Sequence, residues 1–360
     1  MIEWSVRPMK QLSGRSRYLL FPLALFYWGV QFWRNIFYAV GFFLTNRLPI
    51  PVISVGNLSV GGTGKTPMVI YLALKLEAMG KKVTIISRGY KRKTTGTLVV
   101  SDGDQMLTTW EEAGDEPYLM AKRVTSVPVV VDEVRYRGGL HAVQRFNPSV
   151  ILLDDAFQHR QLERDLDIVL LNSQDTPADY KLLPYGKLRE PWFHLRRANI
   201  VFWTKVNLSS ESSRRSPHPE VRSKVSQAKV PVFRSKMAAA FLRDSAGKSV
   251  PLTQIKGRKA YLFCGIGDPE SFRSLLQKAG ADIVGFRVFE DHHHYIKVEL
   301  GGIVEDAAAL GAEMIITTEK DSFKTEHFLT EEDSVYSLRI NFVPSTEGER
   351  ALVEMLGRLW

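Results

Sequence analysis

The chain has 360 residues, 44% hydrophobic and 24% charged, a composition that fits globular proteins and excludes disordered and fibrous classes. Its single cysteine, Cys264, excludes an intrachain disulfide and a four-cysteine zinc framework, as expected of a reducing compartment. Lys and Arg outnumber Asp and Glu by 48 to 39, and the net charge of +9 calls for an anionic partner: nucleic acid, phosphate or a membrane surface.

The first 50 residues carry six basic side chains (Arg7, Lys10, Arg15, Arg17, Arg34, Arg47) against one acid, Glu3. Between Arg17 and Arg47 lies an aromatic, apolar stretch that Gln31, Arg34 and Asn35 interrupt. The uninterrupted run is shorter than the roughly 20 residues that a helix needs to cross a bilayer. Residues 1–46 are therefore expected to form a membrane-associating segment lying in the interface, with Trp28, Trp33 and Tyr38 as interfacial side chains; a tilted span is the alternative. Charge clustered beside such a segment favours lipid over nucleic acid as the anionic partner.

From Ile50 onward, short β-rich apolar runs alternate with helical segments, which predicts an α/β fold with a largely parallel sheet. Strands are expected at 50–55, 83–87, 127–131, 150–153, 167–171 and 200–204, with a helix reaching about Met79 and a hairpin over 97–110 turning at Asp102-Gly103. The polar, serine-rich stretch 208–224 reads as an exposed loop or linker. A second α/β pattern follows, with strands at 261–264, 283–288 and 314–318, helices over 269–279 and around Ala307, and an amphipathic helix at 347–359. The expected organisation is a core domain 47–206, a linker 207–225 and a smaller α/β domain 226–360.

Ser59-Val60-Gly61-Gly62-Thr63-Gly64-Lys65-Thr66 stands between the first strand and its helix. Glycines turn backbone amides inward, the helix N-terminus adds positive potential, Lys65 reaches terminal phosphates and the Thr66 hydroxyl suits Mg2+. Ser59 occupies the usual position of the first glycine. The strand at 150–153 ends in Asp154 and Asp155, at the edge of the sheet where open α/β folds bind ligands, so the pair is positioned to act on Mg2+. Asp291-His292-His293-His294 follows a strand; successive extended residues face opposite ways, so an acid/base or orienting histidine is favoured over a metal site. Arg88, Lys91, Arg92 and Lys93 place four cations after another strand, suited to phosphate or headgroup contact. Thr204-Lys205-Val206-Asn207 looks like a guanine-reading element, the basis of an alternative reading as a P-loop GTPase or ATPase switch on a protein partner, but Asn207 stands where the base-reading aspartate belongs.

The blocks SVGNLSVGGTGKTP (54–67), SRGYKRK (87–93), EEAGDEP (111–117), LDDAFQHR (153–160), LLPYGKLREP (182–191) and DHHHY (291–295) together resemble the tetraacyldisaccharide 4'-kinase family of lipid A biosynthesis. The resemblance implies a P-loop NTPase-like kinase with a second α/β domain, bound to the inner membrane with its catalytic domains on the cytosolic side. It implies transfer of the ATP γ-phosphate to the 4'-hydroxyl of a tetraacyldisaccharide 1-phosphate, with Mg2+ as cofactor and no obligate protein partner. Carried over motif by motif, Asp115 and His292 become the pair that activates the acceptor hydroxyl, with Asp115 oriented or made more basic by His292. Thr66, Asp154 and Asp155 become the metal set. Arg88, Tyr90, Lys91, Arg92, Arg189 and Glu190 become candidate contacts to the acceptor. Ala156 stands where the family pattern has glycine.

Overall fold

The computed structural model describes residues 20–208, 217–328 and 334–360. Helix α1 (Phe21–Ala39) precedes the sheet. The first half then runs β1 (Val52–Asn57), α2 (Lys65–Ala78), β2 (Val83–Ser87), β3 (Leu98–Ser101), α3 (Trp110–Ala113), α4 (Asp115–Arg123), β4 (Val129–Val131), α5 (Arg135–Phe146), β5 (Val150–Asp154), β6 (Leu166–Asn172) and β7 (Ile200–Thr204). After α6 (Pro219–Ser226) come β8 (Val232–Arg243), β9 (Ser249–Val250), β10 (Lys259–Cys264), α7 (Pro269–Lys278), β11 (Asp282–Val288), α8 (Lys297–Ala309), β12 (Met314–Thr318), α9 (Glu319–Thr325), β13 (Val335–Pro344) and α10 (Thr346–Gly357).

The strands form one sheet in the order β11-β10-β12-β13-β8-β7-β6-β1-β5-β2-β4-β3, with β9 beside β8. It is mostly parallel, and the antiparallel pairs are β3 with β4, β8 with β13 and β8 with β9. Six strands (β1, β2, β4, β5, β7 and β12) are buried at every residue, as expected where helices cover both faces. The 12-residue strand β8 belongs to both halves. Its residues 232–234 run parallel to β7, and from Ser235 to Arg243 it pairs antiparallel with β13. One apolar cluster likewise extends from Leu72 and Leu76 of α2, through Phe202 and Met237, to Leu338, Phe342 and Leu352. Fully burying each such large side chain contributes about 1.5–3 kcal/mol.

Three expectations change. The 97–110 hairpin reduces to β3 and one antiparallel bridge from Ser101 to Met106, because Asp102 draws the amides of Asp104 and Gln105 into a turn and Trp110 already opens a helix. Of the predicted linker, 209–216 lies outside the described residues, while 219–226 is helical: His218 caps it, Pro219 opens it, and Val221 and Val225 are buried beneath it. The long strands β8 and β13 were not expected from the sequence. For the N-terminal segment, 1–19 lies outside the described residues, 21–39 is a helix, and among the described residues no helix is long and apolar enough to cross a membrane.

Candidate active site

The glycine-rich loop 59–66 grows out of β1, which lies within the first half of the sheet. Asn57 at its end donates from Nδ2 to Ser59 O (2.6 Å) and to Thr63 Oγ1 (3.0 Å), so one buried amide holds both limbs of the loop. From the end of β7, two strands across the sheet, Thr204 Oγ1 donates to Thr63 O at 2.9 Å. Ser59 is buried and bridges to Leu188, and the Val60 amide donates to Lys187 O at 2.8 Å. Gly61 and Gly64 take φ of +112° and +88°, a region open to glycine at no steric cost. Gly64 caps α2, and Pro67 falls in the first turn, where its missing N–H has no helical partner to lose. Lys65 and Thr66 are thereby the first two residues of the helix, beside its free amides. Gly62 lies at the mouth, with Asp268 and Lys205 as its nearest neighbours.

Because β1 pairs with β5 in the register Val55 to Asp154, the acidic pair arrives beside the loop. The structure separates its two members. Asp155, at φ +47°, accepts two 3.0 Å hydrogen bonds from Arg189 Nη1 and lies 3.5 Å from Lys65 Nζ. Burial raises its pKa, but Arg189, Lys65 and Arg135 outweigh that and hold it far below the usual range. Asp154 is buried and accepts from Ser87 Oγ at 2.9 Å through Oδ2, while its buried Oδ1 has no hydrogen-bond partner. Burial, then the charges of Glu116 and Asp155, push its pKa up. A desolvated carboxylate with an orphaned oxygen, raised by like charges, fits a divalent cation; so does the buried Thr66 hydroxyl at the helix start. Asp155 fits as the ion-pair partner of Lys65.

The second cluster comes from both halves of the sheet. Asp115, the first residue of α4, meets Nδ1 of His292 at 3.0 Å although the two are 177 positions apart in sequence. Its Oδ2 also faces Lys324 Nζ at 2.5 Å and Lys320 Nζ at 4.0 Å. Arg123 and Glu319, joined at 2.7 Å, tie α4 to α9 and set this meeting. Burial raises the Asp115 pKa, but His292, Lys324 and Lys320 hold it down to about 2. The expectation that His292 makes Asp115 more basic is therefore corrected: donation to the carboxylate stabilises its charge and lowers its proton affinity. The cluster adjoins the phosphate loop through Gly267, where a Cβ would lie 3.2 Å from Asp291 Oδ2 and 3.8 Å from the Gly62 amide nitrogen.

The family model Tetraacyldisaccharide-1-P 4'-kinase (LpxK) matches residues 16–357. The chain belongs to that family. The chain is similar to the Tetraacyldisaccharide 4'-kinase of Aquifex aeolicus (strain VF5), 40% identical over 95% of this chain and 98% of that protein. It is also similar to the one from Desulfotalea psychrophila, 38% identical over 92% and 94%. A crystal structure of LpxK from Aquifex aeolicus in complex with ATP superposes with a TM-score of 0.75 at 38% identity, covering 95% of this chain and 99% of that one.

Of the residues that family resemblance assigned to the acceptor, Tyr90 and Lys91 reach the His292 segment. The Tyr90 ring lies 5.4 Å from the His292 ring, and Lys91 Nζ donates to Asp291 O at 3.3 Å. Arg88 is exposed, and its charge acts on Arg135 and His159. Two assignments are corrected. The Arg92 guanidinium turns inward to Glu133 and to the carbonyls of Gly96 and Val131, its side chain 2% exposed, so it points away from the solvent side where an acceptor would lie. Glu190 is fully buried among Arg34, His194 and Arg197 and joins α1 to the body of the protein. Arg189, with its side chain 26% exposed, meets Asp155 of the acidic pair. Asn207 spends its amide on the Met237 backbone, donating at 2.7 Å and accepting at 3.1 Å, so it does not read a base.

Glu116, Lys320 and Lys324 went unrecognised in the sequence. Glu116 adjoins Asp115. The two lysines are four residues apart, hence on one helical face, and follow a predicted strand whose end opens on the ligand crevice; that combination was a readable signal.

Proposed function

We propose that this chain is an ATP-dependent kinase that transfers the γ-phosphate to the 4'-hydroxyl of a tetraacyldisaccharide 1-phosphate, working at the cytosolic face of the inner membrane. Membership of the family supports the reaction. The observation that carries the mechanism is the meeting of Asp115 with His292 next to a loop built for phosphates. Residues 47–206 serve as the kinase core, and 226–360 as the smaller domain that brings His292, Lys320 and Lys324 to it.

In this reading the loop amides and Lys65 hold the terminal phosphates. Thr66 and Asp154 would hold Mg2+, which would neutralise charge on the phosphate oxygens. Asp155, clamped by Arg189, aims Lys65. Asp115 takes the proton of the 4'-hydroxyl through Oδ1, since its cationic contacts fall on Oδ2. A carboxylate of low proton affinity suffices, because the attacking oxygen becomes acidic as its bond to phosphorus forms. The phosphoryl group passes to that oxygen and ADP leaves.

Helix α1 supports the membrane location. Tyr27, Gln31, Arg34, Asn35 and Tyr38 form its half-buried to buried stripe, and Tyr27 Oη donates to Arg189 O at 2.7 Å. Phe21, Leu23, Leu25, Phe26, Trp28 and Trp33 are exposed. A helix that turns its polar side to the protein and its apolar side outward is stable against lipid, not water. The test is transfer of labelled γ-phosphate to tetraacyldisaccharide 1-phosphate in mixed micelles. Label on the 4'-oxygen is expected, and ATP turnover that delivers phosphate only to water would defeat the reading.

A further inference from the structure

The Asp115–His292 pair has a third member. Lys320 Nζ lies 3.3 Å from Nε2 of His292, 3.3 Å from Asp291 Oδ1 and 4.0 Å from Asp115 Oδ2. An ammonium has only protons to offer, so the Nε2 it faces must present a lone pair. Lys320 carries that charge: burial opposes it, but Glu116, Asp291 and Asp115 outweigh burial and raise its pKa. Among the described residues, the carboxylate nearest Nε2, Asp291, stands 3.8 Å away and is already paired with Lys320. The other groups around the ring are the Tyr90 ring at 5.4 Å, Lys324 through Asp115 and Lys91 through the Asp291 carbonyl. The His292 backbone is held as well, at φ +67° with its amide donating to Gly265 O at 3.1 Å.

We infer that Lys320 is a positioning residue for this pair: its ammonium donates to Nε2 of His292, keeps the imidazole neutral and fixes its proton on Nδ1, where it is donated to Asp115. The inference rests on the reading of Asp115 as the group that accepts the hydroxyl proton. It gives α9 a task in the reaction, because the same short helix supplies Lys324 to Oδ2 of Asp115 and, through Asp321, a hydrogen-bond acceptor for the Gly265 amide at 3.1 Å. Without Lys320, Nε2 is open to a solvent proton. The imidazolium would then bind the Asp115 carboxylate more tightly and make it a poorer proton acceptor.

The test uses the full chain in detergent micelles with 15N-labelled histidine, the His292 signals being assigned by their loss in His292→Gln. Long-range 1H–15N correlation is expected to show the Nδ1–H tautomer of His292 from pH 6 to pH 8 in the wild type. In Lys320→Met the ring is expected to titrate, and the kcat deficit to deepen as pH falls, by about tenfold per unit below that titration. The KM for ATP should stay within about twofold, and Lys320→Arg should restore both tautomer and pH profile. An Nε2–H tautomer or an imidazolium in the wild type overturns the inference. So does a pH-independent deficit with a raised KM for ATP, which would assign Lys320 to a phosphate. Asp115→Asn separates the two levels: if it keeps turnover, the proton-acceptor reading fails, while the tautomer measured on the same protein still decides the contact with Lys320.

Discussion

In the glycine-rich loop, Asn57 holds Ser59 and Thr63 a few positions along the chain, with Thr204, Lys187 and Leu188 bracing its backbone, whereas Asp115 takes its charged partners from positions 292, 320 and 324. That loop offers backbone amides and Lys65, which meets Asp155 at 3.5 Å with side chains 12% and 30% exposed. The Asp115 cluster exists only when α4 and α9 are packed together, and its charges are buried. A site of the first kind can lose a side chain at the cost of chemistry alone. In a site of the second kind, chemistry and stability are coupled, since removing one charge leaves another buried without its partner.

Four measurements bear on that contrast. Lys65→Ala should lower turnover by about 10³-fold, as loss of a main phosphate-binding cation does, and leave the thermal midpoint nearly unchanged because Asp155 keeps Arg189. A large drop in midpoint would show the loop to be as interdependent as the cluster. Asp115→Asn should cost about 10²-fold in kcat and also about 3 kcal/mol in stability, because Lys324, with a side chain 0% exposed, loses its counter-charge. Combined with His292→Ala, the kinetic penalties should fall short of multiplying. Turnover reads the first effect and urea unfolding the second.

The pH dependence sharpens the point. The Asp115 carboxyl is held at about 2 in the folded protein against 3.8 for the free group. Its depressed value contributes about 2 kcal/mol that is fully present above about pH 4 and is lost as pH falls toward 2. The stability gap between wild type and Asp115→Asn should narrow by about 2 kcal/mol over that window; a gap independent of pH would mean the carboxyl is not held low. The smallest effect belongs to the loop. At Gly64, an added Cβ meets Met237 Cε at 2.1 Å in a backbone at φ +88°. The methyl can swing aside, so Gly64→Ala should cost only about 1–2 kcal/mol of strain, seen in unfolding, with weaker ATP binding seen by calorimetry.

The local pieces were legible in the sequence. The strands at 83–87, 200–204 and 314–318 lie where their apolar runs predicted them, since a strand buried on both faces has to be apolar throughout. Gly80 marked the end of α2 because a left-handed residue there terminates a helix. The phosphate loop, too, is a matter of residue type at fixed spacing. What the sequence could not determine by itself was every feature set by partners far along the chain. Strand β8, with Lys236, Met237 and three alanines, has no clean alternation because it crosses from one neighbour to another, parallel to β7 and then antiparallel to β13. Arg92 and Glu190 are ordinary charged residues until packing buries them with their counter-charges. Whether Asp115 binds its proton tightly or loosely depends on His292, Lys320 and Lys324, and only the tertiary structure brings those charges within 4.0 Å of it, the range over which a buried charge shifts a pKa.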